Sequence, residues 1–233
     1  MAPHWAANDA GDFISRDYGS VLGEVVAKEN LRARWGPILT RYAELQVSVA
    51  RANLVLPAPR FLPIDIADEF DSRTNDLVVR QVVRAAASRM ADGPVPMSIQ
   101  HDDLHVWNVF LASDTAQAVD SARFYDWGDS HLGHPFASAQ VGLDQFDADL
   151  TWPVGPEHED LLLAYLEPWR EYADDTTLRS LVNDALLIAP VSRIFSWERA
   201  LSGSEATDTE WAARPGQWLQ IAVDRAHAAA RLS

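Results

Sequence analysis

The densest group of chemistry-bearing residues in the chain is Gln100-His101-Asp102-Asp103-Leu104-His105-Val106-Trp107-Asn108. Its pattern is His-x-Asp with an Asn five residues after the Asp. A second group, Asp126-Trp127-Gly128-Asp129, follows at a short distance. Phosphoryl transfer has a use for this donor set. A carboxylate must orient an acceptor hydroxyl and take its proton, and Asp103 has the right type and place. An oxygen ligand on the same loop must hold Mg²⁺, which Asn108 could supply. A second carboxylate must bridge metal and nucleotide phosphates, and Asp126 fits that part. Mg²⁺ prefers oxygen donors and keeps several waters, so one Asn and one Asp are enough protein ligands.

The elements between and around these groups must position them. Val109-Phe110-Leu111 and Ala122-Arg123-Phe124-Tyr125 are β-prone, and the polar stretch 113–121 separates them. This predicts a hairpin with a long tip, which sets Asn108 and Asp126 side by side at its base. Upstream, residues 1–11 are small and polar and are expected to fray. Residues 12–19 read as a short strand entering a Gly turn, and 21–34 as one or two helical turns. A helix is expected to begin after Gly36-Pro37, burying Ile38, Leu39, Tyr42, Leu45, Gln46 and Val49. The proline-rich run 56–63 reads as a loop. A second helix over about 73–91 has the stripe Leu77, Val78, Val82, Val83 and Met90. From 157 onward the chain reads as helices, with a kink at Pro190 and a last helix over about 217–232.

His101, Asp103, Leu104, His105 and Asn108 resemble the His-Gly-Asp-Leu-His-x-x-Asn motif of the aminoglycoside phosphotransferase family, which belongs with the choline-kinase-like and protein-kinase-like enzymes. Asp126, Trp127, Gly128 and Asp129 are similar to the family's second motif, Asp-Trp/Phe-Gly/Glu-Asp. The resemblance implies a mainly helical α+β fold, the C-terminal lobe of a protein-kinase-like fold. Its short β-hairpin would lie between the catalytic loop and the metal-binding Asp. It further implies transfer of the γ-phosphoryl of ATP or GTP, with Mg²⁺, to a hydroxyl of a small molecule. Asp103 would be the catalytic base, and His101 would brace its loop. Asn108 and Asp126 would be the Mg²⁺ ligands. Because acceptors in this family are often cationic, Asp129, Asp144 and Asp147 become candidate substrate contacts. A solvated acidic face including Asp149 is the competing explanation.

The sequence departs from the family pattern in several places. Asp102 stands where the family has Gly, and Val106-Trp107 replaces a common Pro-Gly. After Gly133-His134-Pro135 the family often shows a bracing Asp, where this chain has Ser138. The family's N-terminal lobe carries a Gly-rich phosphate loop and a strand lysine. Here Lys28 is the sole lysine and lies in a helix-like context, with no Gly-rich loop before it. The chain is therefore expected to comprise a hinge and N-lobe remnant at 1–34 and a helical catalytic lobe at 35–233. Weak nucleotide affinity is the corresponding expectation. A non-catalytic, pseudokinase-like module is the alternative this raises. A metallohydrolase built on His101 and His105 with His131 and His134 is a further alternative. The hairpin and the Asp-Trp-Gly run speak against it, and His131 and His134 are expected on the surface or in loops.

Composition narrows the classes further. The 233 residues are 48% hydrophobic and 23% charged, an ordinary globular balance. The formal net charge of -15 excludes the basic footprint of a nucleic-acid binder. An acidic surface could steer a cationic substrate, or simply keep the protein soluble. The absence of cysteine removes disulfides and thiol catalysis. No apolar run approaches the ~18 residues of a membrane span. The first residues show neither a basic nor an apolar signal segment, so a cytoplasmic location is expected.

Overall fold

The computed structural model describes residues 6–7, 13–14, 18–52, 58–146, 150–202 and 209–232. The first described elements are two short antiparallel strands, β1 (Ala6–Ala7) and β2 (Phe13–Ile14); most of 1–11, expected to fray, lies outside the described residues. Gly19 follows with φ 88°, the positive value that the expected Gly turn requires. Helix α1 (Leu22–Val25) leads into the long helix α2 (Lys28–Ala52).

Helix α2 starts well before Gly36-Pro37, and Pro37 lies inside it. Proline costs one backbone hydrogen bond there, but tertiary packing holds the preceding turns. Trp35 is fully buried, and its Nε1 donates to the Gly142 carbonyl at 2.6 Å. Thr40 Oγ1 donates to the Ala164 carbonyl at 2.8 Å, fastening the turn after the proline to the neighbouring helix.

Helix α3 (Pro63–Asp71) was not anticipated from the sequence. Pro63 takes the first helical position, and Asp65 accepts the Leu62 N–H at 3.3 Å. The helix then buries Ile66, Ala67 and Phe70. Helix α4 (Leu77–Ala91) begins at an Asp76 cap, whose Oδ1 accepts from the Val78 and Val79 amides at 3.0 and 3.2 Å. Its buried face is Val79, Val83, Ala86, Ala87 and Met90, rotated from the expected stripe. Leu77 and Val78 are 68% and 50% exposed, because the cap turns the first helical residues outward.

The segment His101 to Asn108 runs between two small antiparallel pairs. Strand β3 (Ser98–Gln100) pairs with β6 (His131–Gly133), a pairing the sequence did not reveal. Strand β4 (Val109–Phe110) pairs with β5 (Arg123–Phe124), which is the expected hairpin. Its long tip folds as a 3-10 turn at Ala116–Ser121. Helices α5 (Ala139–Leu143), α6 (Glu159–Leu166), α7 (Asp175–Ser202), α8 (Thr209–Ala212) and α9 (Arg214–Ala230) complete the lobe. Pro190 lies within α7. The core runs between α7 and α9, α3 and α4, α2 and α6, and α4 and α7. Among the described residues no helix is long and apolar enough to cross a membrane.

Candidate active site

The loop from His101 to Asn108 leaves β3 and enters β4, so both of its ends are tied to paired strands. Tyr125 N–H donates to the Asn108 carbonyl at 2.9 Å. That bond extends the hairpin register by one pair and places Asp126 directly after the partner of Asn108. The His101 ring is fully buried, and its Nε2 lies 2.6 Å from the Tyr125 carbonyl. A carbonyl only accepts, so Nε2 carries the proton. His101 therefore joins the loop to the residue preceding Asp126, as the bracing role requires. Its ring also packs 4.7 Å from Trp127. Burial pushes the His101 pKa down, against the pull of Asp103, Asp126 and Asp102, and keeps the ring neutral.

Two non-glycine residues adopt left-handed backbone conformations here, Asp102 with φ 63° and Asp126 with φ 57°. Such residues cost of order 1 kcal/mol and concentrate at functional sites. Asp102 occupies the position where the motif has Gly, and its backbone explains why Gly suits that place. Its carboxylate is buried, with Oδ2 3.1 Å from His131 Nδ1, close although the ring N–H is not aimed along the line.

Asp103 is held from two sides. His105 Nε2 lies 3.2 Å from its Oδ2, and Arg193 Nη2 lies 3.3 Å from its Oδ1. Trp107 N–H donates to His105 Nδ1 at 3.2 Å, so the neutral imidazole carries its proton on Nε2, facing the carboxylate. Burial pushes the Asp103 pKa up, but the His105 hydrogen bond and the Arg193 charge outweigh it and hold the carboxyl below its usual value. Asn108 Nδ2 donates to the Asp103 carbonyl at 3.0 Å and reaches its Oδ2 at 3.4 Å. The amide nitrogen is thus committed to the loop, and Oδ1 is left to accept or coordinate. Asp126 is exposed, and its carboxylate makes no hydrogen bond or ion pair among the described residues. Two uncommitted oxygen donors on adjacent strand ends fit a hard cation such as Mg²⁺.

Asp129 belongs to the same cluster. Its carboxylate lies 3.5 Å from Arg193 Nη1 and 3.7 Å from Arg199 Nη2. Burial, with Asp102 and Asp103 nearby, pushes its pKa up against the pull of Arg193. Asp144 is used differently: its Oδ1 accepts the Leu150 N–H at 3.1 Å, closing the loop after α5. Asp147 and Asp149 lie outside the described residues. His131 and His134, expected on the surface or in loops, are 1% and 3% exposed; His134 does lie in the short connection after β6, but buried. His131 lies in β6 facing Asp102, and His134 Nδ1 accepts the Phe136 N–H at 3.3 Å, capping the turn Pro135–Ser138. Burial pushes the His134 pKa down to about 3. Among the described residues no three His, Asp or Glu side chains form a group that could hold a metal ion.

Ser138 supports the loop through a relay. Its Oγ and N–H donate to Gln100 Oε1 at 2.6 and 3.0 Å, and its Oγ lies 2.9 Å from Tyr42 Oη. Tyr42 Oη in turn accepts the His101 N–H at 3.0 Å. Gln46 Nε2 donates to the Ile99 carbonyl at 2.8 Å, and Tyr165 Oη donates to Gln46 Oε1 at 2.7 Å. The sequence placed Tyr42 and Gln46 on a buried face without showing that their polar ends brace the loop. Arg193 was also missed, although a lone arginine inside the apolar run 185–195 is a readable signal that a charge is buried and paired.

This architecture occurs in solved structures. A choline/ethanolamine kinase family protein from Mesorhizobium loti superposes with a TM-score of 0.56 over 99% of this chain and 78% of its own, at 19% identity. Plasmodium vivax ethanolamine kinase gives a TM-score of 0.56 over 95% of this chain and 67% of its own, at 16% identity. At these identities the likeness is one of fold: this chain is a mainly helical α+β lobe of the kinase-like kind. No protein-family model matches the sequence, and no curated protein matches it significantly.

Proposed function

We propose that this chain carries the active site of a Mg²⁺-dependent phosphotransferase that moves the γ-phosphoryl of ATP or GTP to a hydroxyl of a small molecule. The observation that carries the reading is the hairpin register. It puts Asp126 directly after Tyr125, the partner of Asn108, whose amide nitrogen is committed to Asp103. Asp103, kept ionised by His105 and Arg193, can accept the hydroxyl proton as the acceptor oxygen attacks. Asn108 Oδ1 and the Asp126 carboxylate would hold the metal, which when bound neutralises charge on the phosphates. His101 and the Ser138–Tyr42 relay keep these groups in register, so positioning and electrostatics supply the rate.

Asp129, close to Asp102 and Asp103, would face the acceptor, and a cationic group is the chemistry such carboxylates favour. The choline and ethanolamine named for the solved neighbours make amino alcohols the first acceptors to try. A second reading, a module that keeps the site without turnover, is supported by Lys28, which is exposed at the start of α2 rather than on a strand. The deciding experiment incubates the full chain with Mg²⁺, labelled ATP or GTP and a panel of amino alcohols, sugars and aminoglycosides. Label transfer that Asp103→Asn reduces by roughly 100-fold or more supports the enzyme reading. Equal transfer by Asp103→Asn refutes the assignment of the base.

A further inference from the structure

Arg193 enters the site from α7 and touches three separate parts of it. Its Nη1 donates to the Asp102 carbonyl at 2.7 Å and lies 3.5 Å from Asp129 Oδ2, while its Nη2 lies 3.3 Å from Asp103 Oδ1. The guanidinium also stands 5.7 Å from the Trp218 ring centroid on α9. The residue is 7% exposed, so it is held by the protein and not offered to a ligand.

We propose that Arg193 is a positioning residue for phosphoryl transfer, a three-point clamp that orients the Asp103 carboxylate against the Asp126–Asp129 turn. The proposal rests on the phosphotransferase reading. The shortest bond goes to the carbonyl of Asp102, the residue in the left-handed conformation. That carbonyl belongs to the peptide joining Asp102 to Asp103, so fixing it sets the direction in which Asp103 leaves the loop. The same fork restrains the Asp103 carboxylate itself and the first turn after Asp126. A planar guanidinium can serve three acceptors at fixed angles, whereas a lysine ammonium acts as a point charge on a flexible stem. The contact with Trp218 holds the fork from behind and ties the site to α9.

An ion pair on the same helix provides the comparison. Arg89 of α4 donates to buried Asp184 of α7 at 2.5 and 2.9 Å, joining two helices rather than the loop 101–108. The test uses the full chain as wild type, Arg193→Met, Arg193→Lys and Arg89→Met. ADP formation from Mg·ATP is measured with water and with ethanolamine as acceptors, together with amide hydrogen exchange. Displacing a reacting group by about 1 Å costs roughly 100-fold, so Arg193→Met is expected to lose about that much in kcat while KM for ATP stays within about threefold. Arg193→Lys should recover at most about a tenth of the wild-type kcat, because its ammonium cannot reproduce the fork. Arg89→Met should lower the melting temperature and keep kcat within about twofold.

A folded Arg193→Met with wild-type kcat, or with only KM altered, overturns the clamp while leaving the phosphotransferase reading standing. If the wild type forms no ADP with either acceptor, that reading fails and hydrogen exchange decides the clamp by itself. Faster exchange at amides 102–108 in Arg193→Met, with Ile99 and Leu132 unchanged, supports it. Unchanged exchange at 102–108 overturns it. Should the methionine variant fail to fold, Arg193→Lys carries the same comparisons.

Discussion

Replacing His134 by Asn should flatten the dependence of stability on pH. His134 is 3% exposed, its ring lies edge-on to Phe136 at 5.1 Å, and its Nδ1 caps the turn that carries Ser138. Burial lowers its pKa to about 3 in the folded state, against about 6.5 in the unfolded chain. Below about pH 6.5 the unfolded chain therefore binds a proton that the folded chain refuses, and stability falls as pH falls. The loss continues until the folded pKa is reached, at about 1.4 kcal/mol per pH unit once the unfolded imidazole is fully charged. Between pH 7 and pH 5 the histidine alone should remove about 2 kcal/mol. Asn keeps an oxygen that can accept the Phe136 N–H, and it does not titrate. It gives up ring packing, so the variant should be less stable at pH 7 by an amount of order 1–3 kcal/mol. Urea unfolding of both proteins at the two pH values isolates the effect, because contributions from His101, Asp103 and Asp129 cancel in the double difference. The wild type should lose about 2 kcal/mol more than the variant over that interval. Equal losses in the two proteins would refute the claim that His134 is held neutral by burial.

Other residues make comparable demands. Tyr42→Phe leaves the buried His101 N–H without its acceptor and should cost about 1–3 kcal/mol in chemical denaturation; a change under about 0.5 kcal/mol would show that the relay is dispensable. Arg89→Met strands the buried Asp184 carboxylate and should destabilise by about 1–3 kcal/mol, read as a fall in urea midpoint with unchanged slope. Asp126→Ala should abolish the Mg²⁺-dependent part of nucleotide binding measured by calorimetry, and equal binding with and without the substitution would remove Asp126 from the metal site. Asp103, with its lowered pKa, should stay ionised on acidification to below the ordinary carboxylate range. The acid limb of any turnover profile should then move up in pH when His105 is replaced by Gln, and an unmoved limb would exclude His105 as its partner.

Local pattern made the expected hairpin legible. Two β-prone runs separated by a short polar interval pair readily as a hairpin, and Val109–Phe110 and Arg123–Phe124 met as expected. Asp103, Asn108 and Asp126 likewise stood out as candidates by residue type and spacing, because the proposed metal and proton acceptor would demand such donor atoms. The β3–β6 pairing was not legible, since three-residue strands separated by the whole stretch 101–130 leave no local period. Helix α3 was hidden for a similar reason: nine residues behind a proline-rich run show too little of a stripe.

The sequence by itself thus determined the chemistry available, an Asp, an Asn and a second Asp in a register that a hairpin would align. Only the tertiary structure decided what holds that chemistry in place. His131 and His134 became buried groups because the β6 segment packs inward, a fact their polarity could not announce. Tyr42, Gln46 and Ser138 became a relay because α2 crosses beneath the loop. Arg193, about ninety residues away in sequence, reaches Asp103 because α7 packs against the 101–108 loop and a buried guanidinium must find acceptors there. Contacts of that kind depend on which helix faces meet, and no short stretch of residues encodes them.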